Sequence, residues 1–475
     1  MISAVPQQAA GRYKIVTIAA AVFTCVAATW TLYAVDPKWA LFIISGLLFP
    51  FAAVMIRDFR RLLLVLLMFV MPLNADVNFM MHPSVGGADA FTFGLVDILL
   101  FALLIVTLLR SASAKEVGVL RFYPAIMIPS LVLLGFYVIS LLAAQDLLWS
   151  GFDIFNFVKT LLFFWVLANN IRERRDLNLV IGFALLGLLV QNILVYWQAA
   201  NPSASHVLQT IGLGAPAELS RFEMQASDLS RPGGTIGHCN HYARYVGLLV
   251  PLAIVYALTK IKKSKAFFYT LIAVSSVFAL IITLTRSSWI GLVASVMVMI
   301  PLLFLRHHFS FRVLRNLGFA ALIFLTVLAI YSKPLVHRMA VDDHGSAYSR
   351  ITTAKVALRM IQDHPVIGIG INNYAAQLPD YWIAEDAFTR KTAVHNTFLL
   401  YAAELGILGF GAYLWVLIAF FMRLVQSVQS RLPYVSLTGI GILGGYVAYM
   451  VTGLTDKSFK RILHCCWCSG TDGGQ

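Results

Sequence analysis

A chain of 475 residues that is 59% hydrophobic and only 12% charged, with a mean hydropathy of +0.80, far exceeds the apolar share of a soluble domain and reads as a polytopic membrane protein. Its formal charge of +14 does not point to a nucleic-acid partner, because the basic residues punctuate hydrophobic stretches instead of forming a patch. The five cysteines give neither a disulfide framework nor a zinc spacing.

Hydrophobic runs long enough to cross a bilayer fall near residues 15–35, 39–56, 62–79, 91–109, 123–144, 153–170, 177–197, 238–258, 266–284, 287–305, 315–331, 394–421 and 434–454, so an all-α integral membrane protein of about 12 to 13 spans is expected. The run at 62–79 is the weakest of them. The first run follows Arg12 and Lys14 without a small-residue cleavage site and reads as a retained anchor, which puts the N-terminus in the cytoplasm. Alternate loops carry Arg57, Arg60 and Arg61, then Arg110 and Arg121, Arg172 to Arg175, Lys260 to Lys265, Arg306 to Arg315, and Arg423 with Arg431. About 20 of the 36 Lys and Arg therefore lie on the N-terminal side, and the other side is the exterior.

Two long segments, 198–237 and 332–393, are predicted outside, and both exceed a mere connection. The second contains Ala347 to Gln362, apolar at helical spacing, which is expected on the membrane surface or against the bundle and to end at His364-Pro365. The GIGIN run, Gly368 to Asn372, lacks the flanking strand and helix of a nucleotide loop and reads as a turn. The chain divides into N-terminal spans (1–150), spans with the first outer loop (151–331), the long outer loop (332–393) with short helices, C-terminal spans (394–455), and a tail (456–475). That tail stops being hydrophobic where a further span would return the C-terminus to the cytoplasm.

Three cations lie where cations are costly. Lys159 and Arg244 fall about 9 Å inside their outer span ends, and Arg286 lies at an outer boundary. Each costs on the order of 3 kcal/mol unless it is compensated. Internal pairing with Asp97, Asp153 or Glu404 is one compensation. An anionic ligand at the outer interface is the other, and a diphosphate on a lipid carrier suits that depth and the Arg fork. His238 and His241 stand at i, i+3 with no third metal ligand at a fixed spacing, so no metal is expected.

The stretch VHNTFLLYAAELGILGFG, Val394 to Gly411, opens a hydrophobic helix with a polar pair directly after the long outer segment. His395, Gly406 and Gly409 fall on one face, polar at its mouth and smooth below, so another helix can approach closely beneath the histidine. Glu404 lies about 14 Å further in on the opposite face and needs a partner.

His395-Asn396, nine residues, then Gly406-x-x-Gly409 resembles the pattern of the O-antigen ligases and the related O-antigen and exopolysaccharide polymerases. GGTIGHCNHYARY (Gly233 to Tyr245), LTRSSWIGL (Leu284 to Leu292) and SRITTAKVALRMIQDHPVIGIGINNY (Ser349 to Tyr374) look like that family's blocks in its order, so the resemblance covers roughly residues 180–455. Gly409-Phe410-Gly411 stands where the family often has Gly-Thr-Gly, and members usually finish with both termini in the cytoplasm, so beside the resemblance the cysteine-rich tail reads as truncated or frameshifted.

The resemblance implies an inverting glycosyl transfer at the periplasmic face of a bacterial inner membrane, without metal, cofactor or nucleotide sugar. A glycan leaves undecaprenyl diphosphate for an acceptor hydroxyl on lipid A-core or another glycan. His395 would act on the acceptor proton. Arg286, Arg244, Arg350 and Lys159 would hold the diphosphate, and Asn396, Tyr374, His238 and His241 are candidate glycan contacts. A polymerase is the alternative within the class. A lipid-linked oligosaccharide transporter is the alternative outside it, and it predicts repeat symmetry and charges nearer the midplane.

Overall fold

The computed structural model describes residues 58–82, 87–112, 120–201, 203–210, 213, 231–259, 263–306, 318, 346–383 and 393–455. The predicted spans at 15–35, 39–56 and 315–331, and the tail, lie outside the described residues. Among the described residues nine helices are long and apolar enough to cross a membrane, and the chain is an all-α polytopic membrane protein.

Helix α1 (Phe59–Val70) has only 12 residues. The span predicted at 62–79 is therefore not one helix: Pro72 cannot continue the hydrogen-bond ladder, and the chain turns into strand β1 (Asp76–Phe79), which pairs antiparallel with β2 (Phe91–Gly94), Asp76 opposite Gly94 and Phe79 opposite Phe91. This small hairpin was not anticipated. It runs straight into α2 (Leu95–Ala112), whose first turn is fixed by Gly94 N–H donating to Asp97 at 2.7 Å.

Helices α3 (Pro124–Ile139), α4 (Leu147–Asn170) and α5 (Arg174–Ala200) follow, and a brief α6 (Ala204–Thr210) lies within 198–237. Then come α7 (Cys239–Leu258), α8 (Lys263–Ile282) and α9 (Arg286–Leu305). Within 332–393 the structure shows α10 (Ser346–Asp363) and α11 (Tyr374–Tyr381), and the last described helices are α12 (Thr397–Gln429) and α13 (Pro433–Thr455).

Helix α13 packs against α7, α9 and α12. Its glycines let neighbours approach closely, as small residues do between helices in lipid. Gly441 and Gly445 face Leu252 and Leu248 of α7, while Gly444 faces Met299 and Ser295 of α9. The pairing of Tyr256 with Thr438 at 2.7 Å extends the antiparallel register of α7 and α13. On the other side Tyr446 donates to Leu417 O at 3.0 Å, which fixes α12.

Helix α12 is broken. Gly406 has φ 64° and ψ −172° inside an otherwise helical run, a conformation that a side chain would strain. The break frees backbone groups within the apolar bundle, where each must find a partner. The turn containing GIGIN supplies them: Ile369 N donates to Ala403 O at 3.0 Å, Gly370 N to Glu404 O at 3.0 Å, and Ile407 N to Pro365 O at 2.8 Å. A Cβ on Gly406 would run into the Val366 carbonyl, and one on Gly368 into the Glu404 backbone. Gly409 does admit a helix, since its added Cβ would lie 3.3 Å from the Cβ of Phe136 on α3. At Gly406, however, the neighbour is a loop.

Two asparagines lock that loop in place. Asn372, at φ 61°, donates to Ala88 O and Trp149 O at 2.8 and 2.7 Å. Asn373 accepts from Asp146 N at 2.6 Å and donates to Ser150 Oγ at 2.8 Å. Helix α10 packs against the bundle through Val356, Ala357 and Met360, which share a core with Leu400 and Ala403 of α12.

Candidate functional site

His395 is half-buried, two residues before the start of α12. Its neighbour Asn396 is the N-cap: the side-chain oxygen accepts from Phe398 N and Leu399 N at 2.9 and 3.0 Å, satisfying two of the helix's open donors. The same amide donates to Leu454 O at 3.0 Å. It thereby ties the mouth of α12 to the last turn of α13. Asn396 was expected to contact glycan, but both ends of its amide are taken up by the protein.

The last two turns of α13 gather the other members. Gly291 of α9 faces Ala448 O and Thr452, and Arg286 lies five residues, about 7.5 Å, further toward the same end. Gly247 of α7 faces Ala448, and Arg244 lies three residues, about 4.5 Å, beyond it. Leu454, beside Asn396, is about 9 Å from Ala448 along α13. His395, Arg286 and Arg244 thus belong to one end of the bundle and to neighbouring levels. Arg286 is the first residue of α9 and half-buried, whereas Arg244 is only 3% exposed. Ser288, one turn from Gly291, is buried, and among the described residues its hydroxyl has no hydrogen-bond partner.

Arg231 was not anticipated. It closes the first outer segment and reaches three groups at this end: Nε donates to Thr283 O at 2.8 Å, and the guanidinium reaches Thr285 Oγ1 at 3.0 Å and Asn240 Oδ1 at 3.3 Å. Thr285 is the N-cap of α9, so this places a further guanidinium beside the residue preceding Arg286. The only hint in the sequence was an arginine placed just before the GGTIGHCNH run.

Other expected members are held elsewhere. Lys159 forms an ion pair with Asp97 at 2.6 Å and donates to Thr92 O at 2.6 Å, with its ammonium over the Phe93 and Phe155 rings. Internal pairing explains this cation, and it fastens the hairpin to α4. Tyr374 is 1% exposed and its hydroxyl donates to Thr353 O at 2.9 Å, so the phenol is turned into the fold and away from any sugar. Burial, helped by the Glu404 carboxylate, pushes that phenol well above the ordinary tyrosine range. Glu404 itself meets the Tyr374 backbone N–H at 3.4 Å, the positive end of α11.

His238 caps α7, its Nδ1 accepting from Asn240 N at 3.1 Å, with the His241 ring 5.0 Å away. Arg350 lies half-buried in the first turns of α10, about 9 Å along the helix from the Val356 contact.

These features define a multi-pass α-helical membrane protein with a cationic, histidine-bearing mouth at one end. Residues 269–414 match the family model described as O-antigen ligase. The match contains Arg286, Arg350, Tyr374, His395 and Asn396, and it leaves Lys159, Arg231, His238, His241 and Arg244 outside. That match supports a glycan-processing function of the ligase or polymerase type. No curated protein matches the chain.

Proposed function

We propose that the protein transfers a glycan from undecaprenyl diphosphate to an acceptor hydroxyl at the periplasmic face of the inner membrane, as an O-antigen ligase does. The observation that carries this reading is the common end shared by His395, Arg286 and Arg244 around the last turns of α13. The acceptor oxygen attacks the anomeric carbon as its proton passes to His395. The bond from that carbon to the diphosphate oxygen breaks, and the electron pair leaves on the diphosphate. One in-line displacement inverts the anomeric centre.

Arg286 and Arg244 offset the charge growing on the leaving group, a task for which a guanidinium fork suits phosphate oxygens. No step requires a metal. Arg231, braced by Thr283, Thr285 and Asn240, holds the cationic rim in shape. Lys159, Tyr374 and Asn396 serve the scaffold, and lipid A-core or a second glycan would supply the acceptor.

Donor binding by purified protein in the presence of a chelator tests the reading. Arg286→Ala is expected to weaken binding of the diphosphate-linked donor at least about 10-fold, the worth of one charge-assisted hydrogen bond. Arg286→Lys should recover only part of it, because the fork is lost. Donor binding unchanged by Arg286→Ala and Arg244→Ala would remove the assignment, and loss of transfer on chelation would turn it toward a metal.

A further inference from the structure

At the end of the bundle opposite His395 the chain builds a second cationic site. Asp176 in the first turn of α5 is fully buried, held by Arg60 at 3.1 Å and Arg61 at 2.7 Å. Arg61 also reaches Glu173 at 2.7 Å and Asp58 at 2.9 Å. Beside this network lies an open cavity of about 760 Å³ lined by Arg60, Arg61, Arg110, Arg172 and Arg175, with Asp58 and Glu173.

Five guanidinium groups thus face three carboxylates, counting the buried Asp176, and two positive charges are left over. Arg110 and Arg175 carry that surplus: among the described residues neither has an acidic partner. Arg110 stands in the last turn of α2 and Arg175 in the first turn of α5, at the ends of two spans. That is the depth of a lipid headgroup.

We infer that this cavity binds the phosphate group of an anionic membrane phospholipid. A cavity of this size accommodates a phosphoglycerol headgroup. Basic pockets between spans on the positive side of a membrane protein suit anionic headgroups by charge. Arg60 and Arg61 are already immobilised by Asp176, so the wall they form is ordered before a lipid arrives. Arg110 and Arg175 supply the forks that phosphate oxygens accept from. The site is separate from the transfer chemistry and does not depend on it.

Native mass spectrometry of the purified full chain tests the inference, with phosphatidylglycerol as probe and phosphatidylcholine as reference. The Arg110→Gln/Arg175→Gln double variant is expected to lose phosphatidylglycerol affinity at least about 10-fold. An Arg423→Gln/Arg431→Gln double variant, which removes the same charge from the same side, should stay within about 2-fold of the wild type. Neither pair belongs to the buried network, and thermal unfolding without lipid verifies that both variants are folded. Inorganic phosphate alone, at millimolar concentration, should not raise the unfolding temperature. Equal affinity in the wild type and the Arg110/Arg175 variant, or equal losses in the two double variants, would overturn the site. Stabilisation by inorganic phosphate without lipid would assign the pocket to a free anion and overturn the lipid assignment.

Discussion

Adjacent residues at the mouth of α12 have different tasks in the proposed function. Asn396 spends its carbonyl on Phe398 N and Leu399 N and its amide on Leu454 O, and in the proposed reading His395 is the member of the pair that acts on substrate. Asn396→Ala is therefore expected to lower stability by about 1 to 2 kcal/mol, the usual worth of an N-cap, while the glycan KM changes little. Asn396→Asp keeps the cap and loses only the bond to α13, so its thermal unfolding should fall between wild type and alanine. Steady-state kinetics beside thermal unfolding decide this, and a KM that rises with stability intact would return Asn396 to a glycan-contacting role. Lys159 obeys a similar division: with Asp97 2.6 Å away, Lys159→Met should leave Asp97 buried without its counter-ion and destabilise the hairpin by about 3 kcal/mol or more. Donor binding measured on the protein that remains folded should be unaltered.

At the scale of elements, the break in α12 and the GIGIN turn form one unit. Two carbonyls and one N–H freed by Gly406 are matched by Ile369, Gly370 and Pro365, and Asn372 and Asn373 anchor the turn to α4 and the hairpin segment. Gly406→Ala combines a left-handed φ with a collision at Val366 O, so it should cost about 2 kcal/mol or more. Thermal unfolding measures that cost, and a neutral substitution would mean that the break is not imposed by the turn.

The sequence showed the two glycines at helical spacing and read a smooth face for a helix. It could not show the break, since a glycine at φ 64° and a helical glycine are written alike, and the partners that decide between them lie about 35 residues away. The hairpin at 76–94 escaped for a related reason. An apolar run with Pro72 at its centre satisfies a span's composition, and only the pairing of 76–79 with 91–94 reveals two strands. Long apolar periods were legible at 91–109, 123–144, 153–170, 177–197 and onward, because in lipid the backbone has no alternative to the helix there.

For the whole molecule, Arg60, Arg61, Arg110, Arg172 and Arg175, which helped to orient the sequence reading, lie at the end where Asp176 is held, and the candidate site lies at the other. Arg286 and His395 could be singled out in the sequence because charge or polarity stands beside apolar helix. Arg231 could not, because its role depends on Thr283, Thr285 and Asn240, which only the fold assembles. If the His395 end faces the periplasm, a cysteine placed at Ser205 in the first outer segment should label in intact cells. Labelling only after the cytoplasm is opened would invert the orientation. The central claim is that His395 performs chemistry at a mouth whose arginines hold the donor. Glycan transfer by the His395→Ala variant in vesicles, read beside donor binding and thermal unfolding of the same preparation, tests it most directly. Transfer should fall by about 10² to 10⁴ with binding and unfolding temperature unchanged, and transfer at the wild-type rate would contradict the account.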